Sequence, residues 1–209
     1  MAAEHCGDHR GGSTIPAHAA HHPDGPRANR RSPLLLITAI LLPLAVTLSL
    51  YLYGRDHEPD YSRGLFGHIG ADANDLKARL GTALLALALV QVLLALAMYR
   101  KRPGGSRAPA AVALVHRLVG LVAFLLSLPI AYQCINAYGV QLTTTRTTLH
   151  SLAGCLFYGA FTAKVLIVRS RHAPGWALPL AGSTLVTFIA VLWYTAAFWW
   201  FNGQTAPGL

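Results

Sequence analysis

Two histidines in the second half of the chain stand in the same short motif. His116 lies in VHRLVGLVAF and His150 in LHSLAGCLFY, and both stretches fit H-x-L-x-G followed four residues later by an aromatic residue. On a helix, residues i and i+4 share a face, so Gly120 and Gly154 each lie one turn beyond a histidine. A glycine there leaves room for a flat porphyrin while the imidazole binds its iron. The alternative is that these glycines only let membrane helices pack closely.

Five apolar segments carry or surround these motifs. They are Pro33–Tyr53, Leu80–Tyr99, Ala110–Ala137, Leu149–Val168 and Trp176–Phe201. Each reaches the roughly 20 residues that cross a hydrocarbon core of ~30 Å. Lipid offers no hydrogen-bond partners to a backbone, so segments of this kind are helices. The sequence therefore predicts an all-α integral membrane protein, a five-helix transmembrane bundle with short loops.

Charged residues are scarce and unevenly placed. They make up 12% of the chain, and no carboxylate side chain follows Asp75. Beyond that residue the chain cannot perform paired-carboxylate catalysis or build an acidic proton relay. The net charge is +9, and the basic residues lie between the apolar runs. This pattern is typical of membrane loops and argues against nucleic acid as a partner. No hydrolase, zinc-protease, phosphate-loop or dinucleotide-binding motif is present.

Lysine and arginine set the predicted orientation. Basic clusters precede the first segment and fill the loops around residues 100–107 and 169–171, whereas the 54–79 loop holds five acids. Basic loops stay in the cytoplasm, so we predict a bacterial cytoplasmic (inner) membrane protein with its N-terminus inside and its C-terminus outside. Residues 1–32 are predicted to form a disordered cytoplasmic tail, residues 33–201 the transmembrane domain with its outer loop at 54–79, and residues 202–209 a short external tail.

The two motif histidines are predicted to lie in opposite leaflets. His116 follows the inner end of an outward-running segment, and His150 follows the outer end of the next, inward-running one. With a rise of 1.5 Å per residue, their depths differ by roughly 20–30 Å. One iron cannot bind both, so the chain has either two sites or one histidine ligand.

An outer site would use His150 together with a group from the outer surface. His68 or His57 in the 54–79 loop could supply a second imidazole, and Gln133 a weaker polar contact. Cys134 and Cys155 are predicted to be small buried apolar residues, with a disulfide near the outer face as the alternative.

An inner site would use His116 with His172 or a histidine of the tail. Arg117 and Lys164 lie about a turn inside the cytoplasmic boundary and could bind haem propionates. Their alternative role is to extend towards the lipid headgroups. Gln91, a lone polar residue in the second segment, is predicted to form a hydrogen bond between helices.

Two longer stretches carry a family resemblance. VHRLVGLVAFLLSLPIAYQC and TTLHSLAGCLFYGAFTAKVLIVRSRHAPGWALP resemble an uncharacterised actinobacterial integral-membrane family of the DUF6529 type. PDYSRGLFGHIGADANDLK resembles that family's outer loop, so the resemblance covers about residues 33–201. It implies that relatives often carry histidine at the position of Gln133, as a partner for His150. This chain has glutamine at that position, which argues against a bis-histidine outer site.

The histidines on neighbouring helices also resemble, in pattern, those of cytochrome b561 and ferric-reductase-type membrane haem proteins. That resemblance implies haem b held between helices and transmembrane or quinol-linked electron transfer. We therefore predict a membrane electron-transfer protein, acting as a small redox subunit beside a quinol, Rieske or c-type partner and without an independent active site. The alternative is a cofactor-free membrane scaffold or anchor. A small-solute transporter is disfavoured because intramembrane carboxylates are missing.

Reporter fusions test the predicted orientation. Fusions after Arg107 and Arg171 should give cytoplasmic signals, because the basic clusters stay inside. Fusions at Ser62 and after Gly203 should give external signals. Paired fluorescent and phosphatase reporters measure both states, and an external signal at Arg107 would invert the whole assignment of inner and outer sites.

Overall fold

The computed structural model describes residues 33–100, 110–170 and 173–208. The predicted tail at 1–32 and His172 lie outside this range. The helices are α1 Pro33–Asp56, α2 Gly70–Tyr99, α3 Ala110–Tyr138, α4 Thr145–Arg169 and α5 Ala177–Trp193, and α5 continues through a π-helical turn, Tyr194–Phe198, and a last turn, Trp199–Phe201. Five helices in the described range are long and apolar enough to cross a membrane. The predicted five-helix membrane bundle is confirmed, and the chain is a multi-pass membrane protein.

The helices α2 and α4 begin earlier than the apolar segments predicted. Helix α2 starts at Gly70 and has 30 residues, which makes it ~45 Å long and longer than a hydrocarbon core. Its first ten residues include four charged side chains and an asparagine, so an apolar window could not detect them. Helix α4 starts after Thr144, whose side chain and that of Thr147 each accept a hydrogen bond from the other's backbone N–H. This capping box satisfies free N–H groups at the helix start.

Helices α3 and α4 contact each other through large side chains and not through close packing of their backbones. Helix α4 packs on α1 and α5, and α2 packs on α3 and α5. Between α3 and α4, the Tyr158 hydroxyl donates to the Ser127 carbonyl at 3.0 Å. The rings of Phe124 and Phe161 stack with centroids 4.2 Å apart. Leu84, Ala88, Ala123, Phe157, Leu185 and Ile189 form the buried core. Large side chains therefore bridge the space between α3 and α4.

The outside of the bundle is apolar. Leu44 of α1, Leu93 of α2 and Leu121 of α3 are each more than half exposed. On a soluble protein, a surface this apolar marks an interaction site. On a bundle with five membrane-crossing helices, lipid chains cover it.

The α1–α2 loop closes one end of the bundle, which we call the loop end. The Gly54 carbonyl accepts from the Val140 N–H at 2.6 Å, and the Tyr53 hydroxyl donates to the Asn136 side chain at 3.1 Å. Within the loop, the Ser62 hydroxyl donates to the Asp60 carboxylate and lowers the pKa of that group. The bonds of Gly54 and Tyr53 fix the end of α1 to the end of α3 and the residues just after it.

Close packing between α1 and α4 depends on Gly159. A Cβ at this position would overlap the Thr47 hydroxyl and lie 2.9 Å from the Pro43 carbonyl oxygen. Gly159→Leu should therefore push the two helices apart and destabilise the protein by at least about 1–3 kcal/mol, the usual cost of overpacking. Thermal unfolding in detergent measures the loss.

The matched control is Gly182→Leu in α5, where a Cβ would have no heavy atom within 4 Å. This variant should unfold close to the wild-type temperature. Equal losses in both variants would contradict a specific role for the Gly159 contact.

Candidate functional site

A cleft occupies the loop-end half of the bundle, and all five helices contribute to its walls. It has two contiguous parts. The deeper part, which we call the chamber, has a volume of about 130 Å³, and the outer part, the vestibule, about 300 Å³. The residues that line both parts are Lys77, Cys134, Gly139, His150, Ser151 and Ala196. These residues mark the boundary between the chamber and the vestibule.

Small residues line much of the chamber. They include Gly81 of α2, Ser127 and Ala131 of α3, and Gly154 of α4. A Cβ at Gly154 would meet only a methyl group of Leu192, at 3.8 Å. A small side chain at the glycine one turn beyond His150 would therefore make one ordinary van der Waals contact and no overlap. The core residues of the bundle close the chamber at its deep end.

His150 is held by a hydrogen bond to α5. The Thr195 hydroxyl has one hydrogen and donates it to the Val191 carbonyl oxygen, 2.7 Å away. Its oxygen therefore accepts from His150 Nδ1 at 2.9 Å. A ring that donates from Nδ1 in this way is the neutral tautomer with a lone pair on Nε2. A neutral Nε2 lone pair is what a metal ion binds.

The π-helical turn places Thr195 opposite α4. Thr195 lies in this turn and is 1% exposed. Arg146 Nη1 donates to the Thr195 carbonyl oxygen at 3.0 Å, one helical turn before His150 on the same face of α4. The guanidinium also lies 3.8 Å from the centre of the Trp199 ring. Single π-turns inside helices occur often at functional sites, and this one receives two side chains from α4.

Two cations line the cleft and have neutral partners. Lys77 Nζ donates to Gln133 Oε1 at 3.1 Å and lies 4.3 Å from the centre of the Tyr138 ring. Arg146, with its carbonyl and ring partners, lines the vestibule. Among the described residues that line the chamber and the vestibule there is no Asp or Glu. The positive charge of the cleft is therefore not compensated by the chain's own lining.

The structure separates the other predicted outer residues from His150. Gln133 is 2% exposed and faces Lys77. His68 is exposed and forms backbone hydrogen bonds with Leu65. His57 stacks on Tyr53 with ring centroids 5.4 Å apart, and its Nε2 is buried without a hydrogen bond. None of the three lines the chamber or the vestibule.

The predicted inner residues lie away from the cleft. Gln91 Nε2 donates to the His116 carbonyl oxygen at 2.6 Å, which confirms the predicted bond between helices. A Cβ at Gly120 would lie 3.1 Å from that same amide nitrogen. The space beside Gly120 is therefore filled by Gln91. Arg117 is exposed and Lys164 is half-buried on α4, and neither lines the chamber or the vestibule.

Sequence reasoning missed the two cations of the cleft, Lys77 and Arg146, and the hydrogen-bond partner of His150, Thr195. Lys77 precedes the apolar part of α2, and a prediction from apolar segments leaves it in the outer loop. Arg146 and His150 are four residues apart at the start of α4, and this spacing could have indicated a shared face. No sequence signal indicates the π-turn that brings Thr195 to them.

Replacing Thr195 tests how the imidazole is held. Thr195→Val removes the acceptor for His150 Nδ1 and should cost about 1–3 kcal/mol, the penalty for a buried unpaired donor. Nitrogen NMR of labelled histidine at pH 8, above the ordinary histidine pKa of about 6.5, should show the Nδ1–H tautomer of His150 give way to a mixture. Thr195→Ser keeps the hydroxyl and should keep the wild-type signal. An unchanged tautomer in Thr195→Val would contradict the assignment.

Comparison with known proteins gives a family without an assigned activity. No curated protein and no solved structure matches the chain. The family described as "Family of unknown function (DUF6529)" matches residues 36–208. This range contains the whole cleft and nearly all of the five helices, and it agrees with the resemblance seen in the sequence. The chain belongs to the DUF6529 family.

Proposed function

We propose that the protein binds one b-type haem in the cleft and transfers electrons at the loop end of the membrane. The observation that carries the proposal is the position of His150. It lines both the apolar chamber and the cationic vestibule, and its Nδ1 lies 2.9 Å from the Thr195 hydroxyl, which leaves Nε2 as the ring nitrogen that would bind a metal. A haem matches this arrangement because one edge of its macrocycle is apolar and the opposite edge carries two carboxylates. Its iron lies between the two edges.

The chemistry of the walls supports this fit. Small residues from three helices form part of the chamber wall, and its deep end is formed by core residues such as Leu84, Phe157 and Ile189. Towards the vestibule, Lys77 and Arg146 provide two positive charges and no lining carboxylate opposes them. Charges inside a membrane protein are costly unless they are paired. Two propionates would neutralise both cations.

Each side chain then has one task. His150 would hold the iron through Nε2, and Thr195 would keep the ring in the required tautomer, as outer-shell groups do for metal-binding histidines. Arg146 and Lys77 would bind the propionates through charge-assisted hydrogen bonds. Bound haem supplies one-electron transfer, at a potential set by its axial ligands and surroundings.

The predicted topology places this chemistry on the outer side of the bacterial cytoplasmic membrane. The cleft lies at the loop end, which the lysine and arginine distribution assigns to the outside. Electrons would be exchanged there with a quinol or with a redox protein, and the chain would serve as a small subunit of that system.

Variants of His150 and Gly154 test the proposal in protein purified from a haem-replete host. His150→Ala should abolish the haem signal in reduced-minus-oxidised spectra, because alanine offers no ligand to iron. Gly154→Leu should have a similar effect by filling the chamber while the imidazole stays in place. His57→Ala and His68→Ala are the matched controls and should keep the wild-type haem content.

A cofactor-free scaffold, the alternative function, predicts a different result. Wild type and all four variants would then lack a Soret band and would differ only in stability. Haem that survives in His150→Ala and disappears in His68→Ala would move the site to the outer loop and contradict the proposal.

A further inference from the structure

The loop between α1 and α2 contains a two-residue hairpin, Leu65–His68. The Leu65 N–H donates to the His68 carbonyl oxygen at 2.8 Å, and the His68 N–H donates to the Leu65 carbonyl oxygen at 3.0 Å. The two residues between them have positive φ angles, 50° at Phe66 and 86° at Gly67. This pattern matches a type I′ turn, whose first position normally holds Asn, Asp or Gly. Here that position holds phenylalanine.

The strained conformation of Phe66 is not compensated by packing against the described chain. Among the residues that the structure describes, only Phe66 and Gln204 combine a side chain with a positive φ, and a bulky side chain rarely adopts this conformation. Phe66 is 70% exposed, and Ile69, just after the hairpin, is 65% exposed, whereas Leu65 is buried. The hairpin therefore uses one apolar side chain to hold itself to the protein and presents two others outwards. A strained residue of this kind indicates a functional contact.

The loop reaches the side of α3 that faces lipid. Leu121, Leu125, Leu128 and Tyr132 are all exposed, and their spacing of i, i+4, i+7 and i+11 places them on one face of the helix. Arg63 Nη1 donates to the Tyr132 hydroxyl at 3.0 Å. The start of the hairpin is therefore attached to the end of an apolar face that lipid chains cover.

The loop lies beside α3 and not beyond its end. The Asp60 N–H donates to the Asn136 carbonyl oxygen at 3.1 Å, and α3 ends at Tyr138. Tyr132 precedes that end by almost two turns, which is about 9 Å along the helix. An exposed tyrosine near the end of a membrane helix is typical of the headgroup level. The contacts of Asp60 and Arg63 therefore place the loop at the level of the lipid headgroups.

We propose that the hairpin inserts Phe66 and Ile69 into the headgroup region of the leaflet at the loop end, and that lipid is the partner of this surface. Apolar side chains of interfacial segments are buried about 5–10 Å into the boundary between headgroups and acyl chains. The apolar pair continues the lipid-facing side of α3, and Arg63 positions it, since its Nε lies 3.3 Å from the Asp60 carboxylate while Nη1 binds Tyr132. The surface lies outside the cleft, so the inference does not depend on haem.

Fluorescence quenching in proteoliposomes tests the contact. Phe66→Cys is made in full-length protein whose three native cysteines are replaced by alanine, labelled with an environment-sensitive dye and reconstituted into phosphatidylcholine and phosphatidylglycerol. Lipids with a nitroxide near the top of the acyl chain should quench the dye, whereas aqueous iodide should not. Asp72→Cys is the matched control: it is exposed at the polar start of α2, and its dye should be quenched by iodide and emit at longer wavelength.

A second labelling site and two arginine variants complete the test. Ile69→Cys should give the same lipid quenching as Phe66→Cys, so the result does not depend on one variant folding. Arg63→Ala should lower the lipid quenching at position 66, whereas Arg55→Ala, which loses only a contact with Tyr51 of its own helix, should not. Dyes at positions 66 and 69 that are quenched by iodide and not by the spin-labelled lipid would overturn the proposal and assign this surface to a soluble partner.

Discussion

His150 of α4 and Thr195 of α5 meet through one hydrogen bond of 2.9 Å, and the chemistry of the cleft depends on it. The bond exists because α5 widens into a π-turn at this depth and because Arg146 binds the carbonyl of the same threonine. Together these contacts hold the imidazole in place and set the way α4 faces α5. A histidine without this partner would be a costly polar residue inside the membrane.

The cleft itself results from how the helices share their packing. Helix α4 is held closely against α1 by Gly159, while α3 is held against α2, so α3 and α4 meet through large side chains. Small residues then open the chamber towards the loop end, where the lining contains cations and no carboxylates. Apolar depth, a held imidazole and uncompensated positive charge are the features on which the proposed binding of an amphiphilic anionic metal complex rests.

The sequence predicted the membrane bundle because lipid allows a long apolar segment one solution, a helix. It also predicted Gln91 as a link between helices, and it predicted room for a bulky group beside Gly154, where a Cβ would have only Leu192 within 4 Å. It predicted the same space beside Gly120, but Gln91 of another helix fills it, and no pattern within α3 could reveal this. Lys77 was missed because the start of α2 is not an apolar segment. Thr195 was missed because a π-turn has no characteristic amino-acid composition.

A haem count tests the central claim most directly. The full-length protein, purified in mild detergent from a haem-replete host, is assayed for haem by its pyridine complex and for protein by amino-acid analysis. A cleft that binds haem through His150 predicts one b-type haem per chain, with a Soret band and a reduced-minus-oxidised spectrum of the same stoichiometry. A protein that is folded and monodisperse but carries no haem, and takes up none when haem is added, would contradict it.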